Sequence, residues 1–536
     1  MSIKSRIYFS CLPIFLFFEV CFIAAFSAMF SVFDRKLPLE GYEIATALAW
    51  LIWFAFFIRN LYLYFVLHVE EFSLKTIFTG GSEATSLEKK QAMYPSVNRK
   101  LLSKQPEGVV FGKRNGKYVC KSMDEDGHIF VIGGSGSGKS SCLVIPTLLV
   151  NPYLTVFAVD IKGELHKKSV RHGSQNVKIF DPADRNSYGY DPFYRLGDNP
   201  SNQEILETMQ LISQSLVSIP ADIRDPFWKL SARSLLTGLL IYYYRQGITN
   251  FIDIVDQIMS KPIKEVISDA IERSTPYDTE YRYLIEFSNM AETTLSGIYM
   301  ELSNHINIFA ADADIRFALR DNYLKLSPRD LENQISVYIS IREEKLTSYY
   351  DVMQLIINQM LAELERRPEN SHRVLFIIDE LARLVSAGKL ERLMDAARTL
   401  RSRKVVLFLI TQSMESLMTA FNEHEVTDLK DNCAYTVVLS AHSMKTQKMI
   451  QNWCGTYQEK RTSWSGGLFD GNTQYTYEEK SVVSPGDLMQ LQLSGDLILI
   501  SPYGYNRIKK TPYYLDRQLK LLADNVAQYN QIFEEV

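Results

Sequence analysis

The chain opens with two long apolar stretches and then changes character. The first, Ile7 to Phe33, carries Glu19 as its only charge; the second, Ile44 to about Leu67, is broken only by Arg59 and includes Trp50, Trp53, Tyr62 and Tyr64. Runs of this length suit helices that cross a bilayer, and Trp and Tyr gather at bilayer interfaces. The pattern predicts a transmembrane helical hairpin, joined by the polar link Asp34 to Glu43, with both chain ends on one side. Lys4 and Arg6 favour a cytoplasmic start, an argument that Arg35 and Lys36 weaken. A cleaved signal peptide competes for the first stretch, but its apolar core is too long and Ala24 to Ala28 make a poor cleavage site. Glu19 at membrane depth has to face a partner helix, be protonated or sit near water.

After a polar stem from His68 to Pro106, the pattern becomes that of a folded body. Asn115-Gly116 marks a hairpin turn. His128 to Ile132, Thr155 to Asp160 and Val177 to Asp181 are short continuous apolar runs that read as buried strands, with a helix from Lys162 to His172 closed by Gly173. This alternation predicts an α/β fold with a mainly parallel sheet. From about Tyr194 to Leu319 the apolar period is helical, as in Asn202 to Val217, Trp228 to Tyr244 and Ala291 to Asn307. Strand signals resume at Ser336 to Ile341, Val374 to Ile378, Val405 to Thr411, Tyr435 to Ser440 and Leu497 to Ile500. The economical reading is one nucleotide-binding-type core split by an all-helical insertion.

The chemistry sits at the ends of these runs. Gly133-Gly134-Ser135-Gly136-Ser137-Gly138-Lys139-Ser140, continued by Ser141, follows the first strand and fits G-x-x-x-x-G-K-S. Glycines let backbone N–H groups curl around phosphates, Lys139 reaches the β- and γ-oxygens, and Ser140 offers its hydroxyl to Mg²⁺. ATP with Mg²⁺ is therefore the expected ligand. Asp379 and Glu380 end the run Val374 to Ile378, where Asp379 can hold Mg²⁺ and Glu380 can polarise the attacking water. Taken alone, the pair also fits an ordinary solvated helix cap, the lesser of the two readings. Gln412, after Val405 to Thr411, either positions water or caps the next helix. Arg401 and Arg403, ahead of that strand, offer either a finger into a neighbouring subunit's site or a charged helix end. The 240 positions between Lys139 and Asp379 leave room for something domain-sized.

Composition adds bounds rather than detail. The net charge of −4 excludes a globally basic DNA coater, although a ring or channel needs only a local basic lining. Six cysteines without paired spacing fit a reduced compartment. Between Glu459 and Glu479, Lys460, Arg461, Trp464, Phe469, Tyr475 and Tyr477 suit either single-strand stacking or a hairpin packed on its own domain.

The order of these elements resembles the coupling ATPases of type IV secretion and conjugation, the TraG/TraD-like proteins. The resemblance rests on the two apolar N-terminal segments, the phosphate loop, Val159-Asp160-Ile161-Lys162-Gly163-Glu164-Leu165, Phe180-Asp181-Pro182, Asp225-Pro-Phe-Trp228, Ile378-Asp379-Glu380 and Ile410-Thr411-Gln412-Ser413. Asp-x-Lys-Gly-Glu discriminates best, because generic phosphate-loop ATPases lack it. The resemblance implies a RecA-like nucleotide-binding domain with an inserted all-α domain, assembled as a homohexamer on the inner membrane with its body in the cytoplasm. It implies a relaxase with single-stranded DNA as substrate and type IV secretion channel components as partners. Lys139, Ser140, Asp379, Glu380 and Gln412 would be the ATPase residues, and Arg401 or Arg403 the arginine acting in trans. The implied division is a membrane anchor over 1–70, a split nucleotide-binding domain over 71–194 and 320–536, and the all-α insert over 195–319. A receptor ATPase for protein effectors and a nucleotide-governed docking scaffold are the alternatives. The short link 34–43 and the little chain beyond Tyr514 depart from many relatives, and the second departure leans towards DNA transfer.

Overall fold

The computed structural model describes residues 51, 92–171, 176–220, 223–386, 388–465 and 472–535. The chain divides into two compact units, the larger being Ala92–Tyr457 with Glu479–Val536 and the smaller Met1–Gln91 with Gln458–Glu478.

The larger unit is built on a twelve-stranded mixed sheet. In chain order its strands are β1 (Leu102–Ser103), β2 (Val109–Arg114), β3 (Lys117–Lys121), β4 (Ile129–Ile132), β5 (Thr155–Asp160) and β6 (Val177–Phe180). After the helical stretch come β9 (Ser336–Ser340), β10 (Val374–Ile378), β11 (Val405–Thr411), β12 (Tyr435–Val438), β15 (Asp496–Ser501) and β16 (Gly504–Lys509). Two further short strands, β7 (Gly189–Tyr190) and β8 (Lys325–Leu326), pair with each other, as do β13 (Thr456–Ser465) and β14 (Asn472–Ser481). The spatial order is β1-β3-β2-β16-β15-β12-β4-β11-β10-β5-β9-β6.

From β12 to β6 all neighbours are parallel; from β12 to β1 they are antiparallel. The sequence accounts for the division. The central strands are buried on every residue, as in Val374–Ile378 and Val405–Thr411, because crossover segments cover both faces. Phe157 and Phe376, opposite each other across β5 and β10, stack with centroids 4.3 Å apart. The antiparallel wing contains the expected hairpin, with Asn115 and Gly116 at φ 50° and 78°, as a two-residue turn with positive φ at both positions requires.

Between β7 and β8 the chain is helical: Asn202–Leu216, Phe227–Arg245, Phe251–Met259, Ile263–Glu272, Thr279–Ser288, Glu292–Ala311 and Ala313–Arg316. Ser201 and Glu204 form a capping box on the first. At the return to the sheet, a Cβ on Gly189 would lie 2.1 Å from the carbonyl oxygen of Ala318, so only glycine fits there. The helices and the sheet share one continuous hydrophobic core. The helix Tyr350–Leu364, with 13 of its 15 residues buried, packs against Asn202–Leu216 and helps to join them. Its Gln359 accepts from the Tyr190 hydroxyl at 2.7 Å and donates to the Pro192 carbonyl at 2.8 Å, which satisfies a polar group inside that core.

Two expectations change here. The helix predicted over Lys162 to His172 spans only Glu164–Ser169, since Gly163 turns the chain at φ 62° and the Asp160 carboxylate accepts from the N–H groups of Glu164, Leu165 and His166. The expectation of a multi-pass inner-membrane protein is corrected: no helix among the described residues is long and apolar enough to cross a membrane. The longest apolar helices in the body spend their apolar residues on the shared core and are too short or too polar to span. The segments 7–33 and 44–67, on which the hairpin rested, lie outside the described residues apart from Leu51. β13 and β14 form a hairpin over the stretch marked as aromatic and basic, but the side chains of 459–476 lie outside what is described.

Candidate active site at the carboxyl ends of the parallel strands

Parallel strands bring their carboxyl ends to one edge of the sheet, and there the order β12-β4-β11-β10-β5 gathers the motif residues. The phosphate loop leaves β4 with the Gly133 N–H donating to the Thr411 carbonyl at 3.0 Å and the Gly134 N–H to the Ser440 hydroxyl at 3.0 Å. Gly136 and Gly138 sit at φ 72° and 96°, and a Cβ on Gly138 would lie 2.7 Å from Cys142 Sγ. The loop runs into a π-turn, Lys139–Val144, before the helix Ile145–Val150. Pro146 explains the turn, because it lacks the N–H that would continue the α-helical ladder.

Lys139 is buried and its Nζ lies 2.5 Å from Glu380 Oε1; the Gln412 amide donates to Glu380 Oε2 at 3.0 Å. Ser140 Oγ stands 3.5 Å from Asp379 Oδ2. The structure thus brings together five predicted residues that are dispersed along the sequence. Glu380 takes a left-handed backbone, φ 68° and ψ 51°, a strained conformation for a non-glycine residue of the kind found at functional sites. Burial, then the Glu380 charge, raise the Asp379 carboxyl to about 7, against the pull of Lys139.

That shift has a sign. The fold favours neutral Asp379, so the stability it supplies is complete below about pH 4, the ordinary carboxylate range of 3.8, and is lost as pH rises towards 7. Asp379→Asn, neutral at all pH values, should keep it. The nucleotide-free variant is expected to gain on the parent between pH 4 and 7, by at most about 4 kcal/mol. Urea unfolding at pH 4.5 and pH 8 reads the gap, and equal gaps at both would refute the shift.

Arg401 and Arg403 are not brought to this edge. They precede β11, so the strand's length of roughly 20 Å separates them from Gln412. Arg403 donates to the Arg367 carbonyl at 2.7 Å, whereas Arg401 is exposed. Two further residues shape the site: Asp160, quoted in a motif above but given no role there, and Ser440, which sequence reasoning missed. Asp160, at the end of β5, is buried and also receives His166 Nδ1 at 2.9 Å, so the Asp-x-Lys-Gly-Glu element builds a fixed carboxylate two positions before Lys162. Ser440, at the end of β12, holds the phosphate loop; its position after an apolar run was the available signal.

The site's chemistry suits a magnesium nucleotide. Asp379 Oδ1 and the Ser137 hydroxyl are buried polar atoms without a hydrogen-bond partner among the described residues. The Ser140 hydroxyl and the Asp379 carboxylate, 3.5 Å apart, are hard oxygen donors of the type Mg²⁺ takes alongside phosphate oxygens.

Residues 81–534 match the family described as Type IV secretory system Conjugative DNA transfer. Protein VirD4 of Rhizobium radiobacter is 25% identical over 437 residues, covering 78% of this chain and 62% of that protein. Conjugal transfer protein TraG of the same organism is 22% identical over 393 residues, 70% of this chain and 60% of the relative. The match thus spans about three fifths of the length of these relatives. Among solved structures, the unbound bacterial conjugative coupling protein TrwBdeltaN70 is similar with a TM-score of 0.61 at 17% identity, covering 77% of this chain and 90% of that one. TrwB in complex with ADP and Mg²⁺ is similar with a TM-score of 0.60 at 16% identity, covering 77% and 91%. The family match over most of the chain, with this fold, makes the protein a member of the TraG/VirD4 family of type IV coupling proteins.

Proposed function

We propose that the chain is an ATPase that recruits a relaxase with its attached single-stranded DNA and, by ATP hydrolysis, delivers it to a type IV secretion channel during conjugation. The convergence of Gln412, Glu380 and Lys139 in one hydrogen-bonded row beside Ser140 and Asp379 carries this reading. Lys139 binds the β- and γ-oxygens once it exchanges Glu380 for phosphate. Glu380, released from the lysine but still held by Gln412, then polarises the attacking water. Ser140 and Asp379 would hold Mg²⁺, which supplies charge neutralisation on the phosphates. Gly133 to Ser141 form the cradle. Arg401, exposed and, among the described residues, without a bond of the kind that holds Arg403, is the better candidate for a finger reaching a neighbouring subunit of a homohexamer. The helical stretch within 195–319 is the substrate-reading module.

One observation favours a protein-receptor variant of the same chemistry. Residues 202–316 carry 16 Asp and Glu against 9 Lys and Arg, a net of −7, which suits a basic protein better than a DNA backbone. Hydrolysis measured with and without single-stranded DNA separates the readings. Stimulation that weakens as salt rises is expected for the DNA motor. Unstimulated hydrolysis with saturable binding of a basic protein to the helical stretch would replace it by the receptor. Nucleotide-dependent assembly without any turnover would leave only a docking scaffold.

A further inference from the structure

Across the phosphate loop from Lys139, a second lysine arrives from the other end of the chain. Lys510 follows β16, and its ammonium donates to the Leu439 carbonyl at 3.0 Å. Leu439 is part of the loop's own support: its N–H donates to the Ile132 carbonyl at 2.8 Å, and its Cβ lies 3.0 Å from where a Cβ on Gly133 would be. The same link is tied again at Tyr513, whose N–H donates to the Ser141 carbonyl at 3.0 Å. The stretch after β16 therefore touches Leu439, which backs the loop's entry, and the first turn beyond the loop at Ser141.

Lys510 is partly buried, and burial lowers its pKa. Among the described residues no carboxylate makes an ion pair with it; Asp496, an acid that acts on it at longer range, is engaged by Lys509 at 2.6 Å and Arg507 at 3.2 Å. Withdrawing an ammonium from water without a counter-ion is costly, and one carbonyl uses only one of its N–H groups. The strand order says which part of a ligand it would meet. Glu380 and Asp379 lie over β10 and Gln412 over β11, on one side of β4, while Lys510 lies over the end of β12 on the other. A γ-phosphate at the carboxylates leaves the rest of the nucleotide to cross β4 towards β12.

We propose that Lys510 is a second phosphate-binding lysine, holding the α- and β-phosphates of the nucleotide from the β12 side of the loop. This rests on the nucleotide-binding reading above. The test is titration of the 536-residue chain with fluorescent ADP and ATP analogues, comparing the parent, Lys510→Gln and Lys510→Arg. Gln keeps an amide donor for the Leu439 carbonyl and removes only the charge. Lys510→Gln is expected to weaken both nucleotides by the same factor, about tenfold, with Arg restoring most of the loss and the nucleotide-free unfolding midpoint unchanged or raised. An affinity equal to the parent's overturns the proposal, and a lowered midpoint with that unchanged affinity reduces Lys510 to a pin on β12. Weakened binding of a single-stranded oligonucleotide with nucleotide affinity intact overturns it in favour of a DNA phosphate. A parent chain that binds neither nucleotide would instead sink the nucleotide reading itself.

Discussion

Glu380→Gln will abolish ATP turnover, by at least about a hundredfold, while leaving nucleotide affinity equal to or tighter than the parent's. The carboxylate has two duties that the substitution separates. In turnover it polarises water, which a neutral amide cannot do. In the nucleotide-free site it holds Lys139 at 2.5 Å, so an incoming phosphate has to take the lysine away from a buried partner. Glutamine removes that competitor, and its shape preserves the contact with Gln412. Single-turnover hydrolysis beside equilibrium binding reads both effects. Weakened binding in step with the rate would mean that Glu380 serves the cradle and not the chemistry.

Lys139→Ala should be more destructive, because it strikes affinity and stability together. Without the ammonium, nucleotide binding is expected to fall by more than about a hundredfold, the phosphates having lost their buried cation. The nucleotide-free protein should also lose about 3–5 kcal/mol, since Glu380 is left buried and uncompensated beside Asp379. The double variant Lys139→Ala with Glu380→Gln tells these apart. It should recover most of the stability and none of the turnover. A double variant as unstable as the single one would show that the aliphatic stem of Lys139, not its charge, supports the loop.

The sequence made the central sheet legible because its strands are buried on both faces, where a continuous apolar run can mean little else. Val374 to Ile378 and Val405 to Thr411 fall where their patterns put them. The five residues at the strand ends were legible for a different reason: a parallel sheet delivers every carboxyl end to one edge. What stayed hidden is contact between distant stretches. Nothing in the spacing says that Glu380 would turn back onto Lys139, since that follows from its left-handed backbone. Lys510 was silent because the second lysine of a Lys509-Lys510 pair after an amphipathic strand looks like solvent-facing charge. The helical run was visible from its period, but its merger with the sheet into one core was not, as that depends on Tyr350–Leu364 being buried on nearly all sides.

The strand order also has a consequence for how the molecule is made. β4 lies between β12 and β11, β5 between β10 and β9, and β6 against β9, so none of these three has a neighbour that leaves the ribosome before residue 336. The 156 positions from Phe180 to Ser336 occupy roughly ten to thirty seconds of synthesis. Throughout that time three apolar segments wait with open edges, while among the described early residues only the β2–β3 hairpin with β1 can pair. Sheet formation is therefore an event of late or completed translation, and until then those edges stay unpaired. A chain stopped anywhere short of Val438 carries its phosphate loop on a strand still missing a neighbour.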